Sequence, residues 1–221
     1  MNDAPLSAPA DPACRSRRKL LRFAAGATAV ALPGLWLPAR TSAQSRTATP
    51  RQTAGPFYPL QMPADSDADL LANGALRYAA GQAAVVEGSV SDTEGRPVRG
   101  AVVEIWQCDA QGHYHHPGDG DRADRAFQGF GKVAVDNAGR YRFRTLRPVA
   151  YSGRAPHIHV KVKRDGRELL TTQLYVQGDP GNARDFLFRG LANDAERAAL
   201  SAVFVPGSDG LRAQFPIVVA I

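Results

Sequence analysis

From residue 83 onward, apolar and polar positions alternate in runs of seven to nine residues, separated by breaks rich in Gly, Asp and Pro. Period two sends successive side chains to opposite faces of a strand, and β-branched and aromatic residues suit that pleated surface. The runs predict strands at 83–91, 101–107, 130–136, 140–146, 157–163, 168–176 and 213–221. In the second, Val103 and Ile105 share one face and Trp106 takes the other. Asp92-Thr93-Glu94-Gly95-Arg96-Pro97 has turn composition. Asn137-Ala138-Gly139, between two of the runs, predicts a β-hairpin. Asn193 ahead of Asp194-Ala195-Glu196-Arg197 reads as the N-cap of a short helix reaching about residue 202. Short strands with one or two short helices predict an all-β fold, an antiparallel β-sandwich over 83–221. Residues 44–82 have no sustained period and carry Gly55-Pro56, Pro59 and an acidic stretch at 65–69, which predicts an irregular N-terminal arm.

The first 43 residues follow different rules. Arg15-Ser16-Arg17-Arg18-Lys19 precedes a fifteen-residue apolar run, 23–37, broken by Pro33 and Gly34 and followed by small residues at 41–43. That run is short for a membrane span, so a cleaved signal is favoured over an anchor. The Arg17-Arg18 pair, with Ser16 before and Leu20-Leu21 after, resembles a twin-arginine signal and predicts export to the periplasm. Such a route carries folded proteins and hints at a bound cofactor.

Composition narrows the function classes. With 44% hydrophobic and 22% charged residues in 221, the chain can fill a core and is not a disordered polypeptide. Two cysteines, Cys14 and Cys108, exclude a disulfide scaffold. The formal charge of +6 is concentrated at the start: six of 27 Lys/Arg and two of 21 Asp/Glu fall in 1–43, leaving 21 against 19. A remainder so nearly balanced gives no support for nucleic-acid binding.

All five histidines lie between positions 113 and 159. In the strand at 157–163, His157 and His159 project from one face and Ile158 from the other. Two neighbouring imidazoles are either half of a metal site or a pair on a solvated strand face continued by Lys161 and Lys163. No Asp or Glu stands where a facial carboxylate would be needed. His113, His115 and His116 fall in a loop beside Pro117-Gly118-Asp119 and are expected at the surface. Tyr114 and Tyr151 are the remaining candidate donors; either alone is as well read as a packed aromatic. Cys108 is read as a small buried side chain.

Four blocks resemble the intradiol ring-cleaving dioxygenases of the catechol and protocatechuate class. They are Gln52-Thr53-Ala54-Gly55-Pro56-Phe57-Tyr58-Pro59, residues 88–114 with Glu104-Ile105-Trp106-Gln107, Arg154-Ala155-Pro156-His157-Ile158-His159, and Thr172-Gln173-Leu174-Tyr175. The resemblance implies a non-haem Fe(III) centre held by Tyr114, Tyr151, His157 and His159, with Tyr151 and His157 axial. It implies Arg154 and Gln173 as active-site residues, with Gln173 able to position Arg154, and Tyr151 as a proton acceptor. It matches Thr53, Gly55, Pro56 and Tyr58 to the loop lining the aromatic-ring pocket. Two anionic phenolate oxygens are hard donors that suit a ferric ion, which must pull each tyrosine pKa down from about 10. The implied reaction takes a small aromatic 1,2-diol and O2, cleaves between the hydroxyl-bearing carbons and yields a cis,cis-muconate-type diacid.

Departures from the larger members bear on the substrate. Only Ser152-Gly153-Arg154-Ala155-Pro156 separates Tyr151 from His157, where protocatechuate-type enzymes carry a longer loop. The long N-terminal helical region of catechol-type members is not in this sequence. The pocket is therefore expected either to stand open or to be closed by a second subunit in a homo-oligomer. Two other readings compete: an exported transthyretin-like or carbohydrate-binding sandwich, and a zinc hydrolase built on His157 and His159. The first would use the strands but not the four matched ligand positions; the second needs a third conventional ligand.

Overall fold

The computed structural model describes residues 45–221; the export segment read at 1–43 lies outside them. The strands run in chain order as β1 (Ala72–Asn73), β2 (Leu76–Arg77), β3 (Ala83–Asp92), β4 (Ala101–Trp106), β5 (Phe130–Ala134) and β6 (Arg140–Leu146). They continue as β7 (His157–Arg164), β8 (Arg167–Val176), β9 (Ser201–Ala202), β10 (Val205–Gly207), β11 (Gly210–Gln214) and β12 (Ile217–Val219). Helices α1 (Phe186–Arg189) and α2 (Asp194–Ala199) are short.

Two five-stranded sheets form the sandwich. In one, β3 is central, with β6 on one side and β11 and β12 on the other, and β10 outside β11. The second has the order β5-β4-β7-β8-β9. The predicted sandwich is thus present, and most pairings are antiparallel. The exceptions are β11 and β12, which run parallel to β3, and β9, which runs parallel to β8.

Three expectations are corrected. The turn at residues 137–139 forms as its chemistry demands: Asp136 Oδ1 accepts the N–H groups of Ala138 and Arg140, and Gly139 takes φ 77°. It does not make a hairpin, because β5 pairs with β4 and β6 pairs with β3. The turn carries the chain from one sheet to the other. The C-terminal strand is also broken in two. Between β11 and β12, Pro216 has no N–H to give, and the Phe215 carbonyl turns inward to accept from the Tyr141 hydroxyl. A Cβ at Gly88 would lie 2.2 Å from that carbonyl oxygen, so β3 needs glycine there. The Asn193 cap is present, its Oδ1 accepting from Glu196 N at 2.9 Å, but α2 ends at Ala199, and α1 has no periodic signal to predict it.

The inner faces meet through Val86, Val90, Phe143, Phe215 and Ile217 of the first sheet and Val103, Ile105, Ile158, Val160, Val162, Leu170 and Leu174 of the second. Each such side chain contributes roughly 1.5–3 kcal/mol on burial. The outer face of the second sheet is covered as well. Residues 49–52 run beside β8, held by Gln52 N to Thr171 O (2.9 Å) and Thr172 Oγ1 to Pro50 O (2.7 Å), and residues 53–58 lie over the face, with Tyr58 Oη donating to Glu104 Oε2 (2.8 Å). That cover, with the rings of Tyr114, Tyr151 and Tyr175, buries β7 on both faces over six consecutive residues and excludes His157 and His159 from solvent.

Candidate metal centre

The alternation of β7 sets the site. Ile158, Val160 and Val162 point into the core, so His157, His159, Lys161 and Lys163 point outward under the arm. In register, His159 lies beside Trp106 of β4 and Gln173 of β8, and His157 lies beside Tyr175. Two loops complete the site. One follows β4 and brings in Cys108 and Tyr114; the other follows β6 and brings in Val149 and Tyr151.

Four rings meet here. Centroids are 4.7 Å apart for His157 and His159, 5.0 Å for Tyr114 and Tyr151, 5.4 Å for Tyr151 and His157, and 6.1 Å for Tyr114 and His159. The Nε2 atoms of the two histidines are 3.2 Å apart. His157 Nδ1 lies 2.6 Å from the Ala155 carbonyl, which fixes its proton on Nδ1 and leaves the Nε2 lone pair free. Burial, with the Arg154 charge, pulls the His157 pKa down to about 4. Burial, His157 and Arg154 push His159 well below its usual value. Both imidazoles are neutral and able to ligate.

The phenols are the opposite case. Burial raises Tyr114 well above the ordinary tyrosine value, and it raises Tyr151 despite the lowering pull of Tyr114 and Arg154. Neither ionises unaided at neutral pH; a multivalent cation would be needed to displace their protons. The Tyr114 hydroxyl is buried without a well-formed hydrogen bond, although the Tyr151 hydroxyl is near enough to influence its ionisation. An orphaned phenol beside two convergent lone-pair nitrogens fits a hard trivalent ion. Among the described residues no group of three or more His, Cys, Asp or Glu is placed to hold a metal, so the zinc-hydrolase reading lacks its third ligand, and the side-chain oxygens beside the two imidazoles are those of the phenols.

The surroundings hold these rings in place. Trp106 stacks on His159 at 4.8 Å with 5° between planes, and Phe57 stacks on Tyr114 at 4.6 Å. Gly55 takes φ 68°, and a Cβ there would lie 3.2 Å from His159 Cε1. Thr53 and Pro56 are exposed beside it. Tyr58 is engaged elsewhere: Glu104 and Lys163 hold its hydroxyl, Trp106 meets its ring edge-on, and Lys161 Nζ sits 3.9 Å from its ring centre. Cys108 is free and buried, and burial pushes its thiol up to about 12.

Arg154 is nearly enclosed, its side chain 10% exposed. Nε donates to Asp185 Oδ2 at 2.8 Å, and Nη2 donates to Gln173 Oε1 at 2.7 Å and to Tyr175 Oη at 3.2 Å. Its charge lowers the pKa of all four candidate ligands, which places its field on the site. Gln173 also donates to the Thr53 carbonyl at 3.1 Å, linking Arg154 to the arm. Asp185 carries no signal in composition, period or spacing, and Tyr175, Gln52 and Trp106 stand in the matching blocks without a role that the sequence assigns. Their roles come from register and from a loop contact. The histidine loop is corrected too: His116 is 8% exposed, its Nδ1 accepting from Gly118 N at 2.9 Å, and His113 is half-buried.

Known proteins share this arrangement of chain. A family model described as Dioxygenase matches residues 53–218. The chain is 40% identical over 132 residues to the protocatechuate 3,4-dioxygenase beta chain of Burkholderia cepacia, covering 55% of this chain and 56% of that one. It is 32% identical over 169 residues to catechol 1,2-dioxygenase of Acinetobacter baylyi, covering 67% and 53%. The chain thus spans about half the length of these curated relatives. Among solved structures, the dioxygenase domain of a dioxygenase carbohydrate-binding protein fusion from Streptomyces sp. SirexAA-E superposes with TM-score 0.63 at 30% identity, over 79% of this chain and 99% of that one. With the family match running through the arm, both sheets and every residue of the ring cluster, the chain belongs to the intradiol dioxygenase family.

Proposed function

We propose that this chain is a non-haem Fe(III) dioxygenase that opens a catechol-type ring between its two hydroxyl-bearing carbons, with Tyr114, Tyr151, His157 and His159 as the iron ligands. The convergence of two neutral imidazoles and two phenols in one buried cluster carries the proposal. The relatives' activities toward catechol and protocatechuate support the substrate class.

Ferric iron, held by Tyr114, Tyr151, His157 and His159, would supply the Lewis acidity that ionises the phenols and binds the diol oxygens. The remaining work falls to the chain. His157 keeps its proton on Nδ1 through Ala155, so Nε2 is always presented as a donor. Trp106 fixes the plane of His159. Tyr114, 2% exposed, is the anchored phenol. Tyr151 is less buried and sits at the start of the short loop bearing Arg154, so its Oη is the site that accepts a diol proton. Arg154 is a permanent cation held at Nε and Nη2, with the Tyr151 hydroxyl near enough to feel its charge, and it stabilises negative charge developing on the ring oxygens. Gln173 orients Arg154, and residues 53–57 shield one side of the site from water. Residues 1–43 act in this reading as a twin-arginine export signal; a reporter carrying them is exported, and Arg17→Lys with Arg18→Lys keeps it in the cytoplasm.

The test uses full-length protein expressed with ample iron. One tightly held iron per chain, an anaerobic spectral change with catechol, and one O2 consumed per ring with cis,cis-muconate as product bear the proposal out. Iron-free protein, or a yellow product cleaved outside the diol, overturns it.

A further inference from the structure

Asp185 is fully buried and lies in the loop just before α1. Its Oδ1 accepts the N–H groups of Leu187 and Phe188, both at 3.0 Å, and so caps the helix. Capping needs only that oxygen, and Ser, Thr or Asn would serve as well without burying a charge. A buried carboxylate is costly unless a cation and hydrogen bonds compensate it. The second oxygen supplies the reason: Oδ2 takes Arg154 Nε at 2.8 Å and Ala155 N at 2.8 Å. Asp185 thus grips both the guanidinium and the backbone beside it, while Gln173 and Tyr175 hold the same guanidinium by Nη2. Anchored at Nε and Nη2, the planar group has its rotation fixed, with the Tyr151 hydroxyl close by.

We propose that Asp185 is the positioning residue for Arg154, setting the direction in which the guanidinium faces the diol. The proposal rests on the role given to Arg154 above. It predicts that removing the carboxylate while keeping the cap disables Arg154 and leaves the metal ligands intact.

Asp185→Ser meets that condition, because serine caps a helix but is too short to reach Arg154. In iron-loaded protein, Asp185→Ser is expected to keep the iron colour and the anaerobic catechol response. Its kcat is expected to fall about 10- to 100-fold with KM changed less than about threefold, the pattern of a lost transition-state interaction. Adding Asp185→Ser to Arg154→Ala is expected to cost nothing further, because the two residues act as a unit. A second readout needs no iron: the Arg154 side-chain Nε–H signal in 15N NMR, identified by its loss in Arg154→Lys, exchanges slowly in wild type and rapidly in Asp185→Ser. If the serine variant does not fold, Asp185→Asn replaces it, since its Oδ1 keeps the cap while its amide opposes the Arg154 Nε–H. A protected Nε–H in the variant, unchanged kcat, or losses that multiply in the double variant would each overturn the proposal. Wild-type protein without iron or turnover would instead sink the assignment of function, and the NMR comparison would still decide whether Asp185 holds Arg154.

Discussion

Gly55→Ala tests how tightly the arm is fitted to the site. Two separate penalties are expected. The first is local: at φ 68° an L-residue adopts the left-handed region at a cost of about 1–2 kcal/mol. For a protein of this size that lowers Tm by about 2–8 °C. The second is contact. The new methyl would sit 3.2 Å from His159 Cε1, inside the ~3.5–4.0 Å preferred between carbons, so the ring must retreat by a few tenths of an ångström. His159 is 0% exposed, and Trp106 lies flat against it at 4.8 Å, so little room exists to retreat without turning Nε2 from the shared point. Gly166→Ala is the control. Gly166 has φ 74° and nothing within 4 Å, and it lies in the turn at the far end of β7. Both variants should lose similar thermal stability. Only Gly55→Ala should hold iron more weakly, by about tenfold, the lower end of what disturbing a ligand-orienting neighbour costs. The assay is iron retention against a chelator beside a thermal melt. Equal iron retention in the two variants would refute the fit between arm and histidine.

Tyr114→Phe removes one anionic donor while keeping the ring against Phe57, so the iron-loaded variant should lose or shift the phenolate-to-iron absorption; an unchanged band would mean that Tyr114 is not a ligand. The His157 pKa gives a pH signature in iron-free protein. Its folded value of about 4 lies below an unfolded value of about 6.5, so the unfolded chain takes the proton first as pH falls. The contribution is complete above about pH 6.5 and is lost as pH falls toward about 4, about 3 kcal/mol in all. Urea unfolding near pH 7 and about pH 4.5 should show a smaller pH effect in His157→Phe than in wild type; equal effects would contradict the buried neutral imidazole.

Local rules make part of this molecule legible from sequence. The period of two in β7 separates Ile158, Val160 and Val162 from His157 and His159 without any tertiary information, and Asn193 announces its helix. What could not be read is what covers an outward face. The same alternation is compatible with histidines in water; the arm at residues 53–58 and the loops bearing Tyr114 and Tyr151 bury them. Tyr114 and Tyr151 sit in loops with no period, so resemblance alone pointed to them. The turn at 137–139 shows another boundary: its residues encode a reversal but not which strands pair afterwards. Asp185 follows no pattern either, because α1 has only four residues and its partner Arg154 is 31 positions away.

Iron-edge anomalous diffraction from crystals of the iron-loaded protein addresses the account most directly. One strong peak is expected, bounded by Tyr114 Oη, Tyr151 Oη, His157 Nε2 and His159 Nε2. A peak elsewhere, or one reached by the two histidines but by neither phenol, would contradict it.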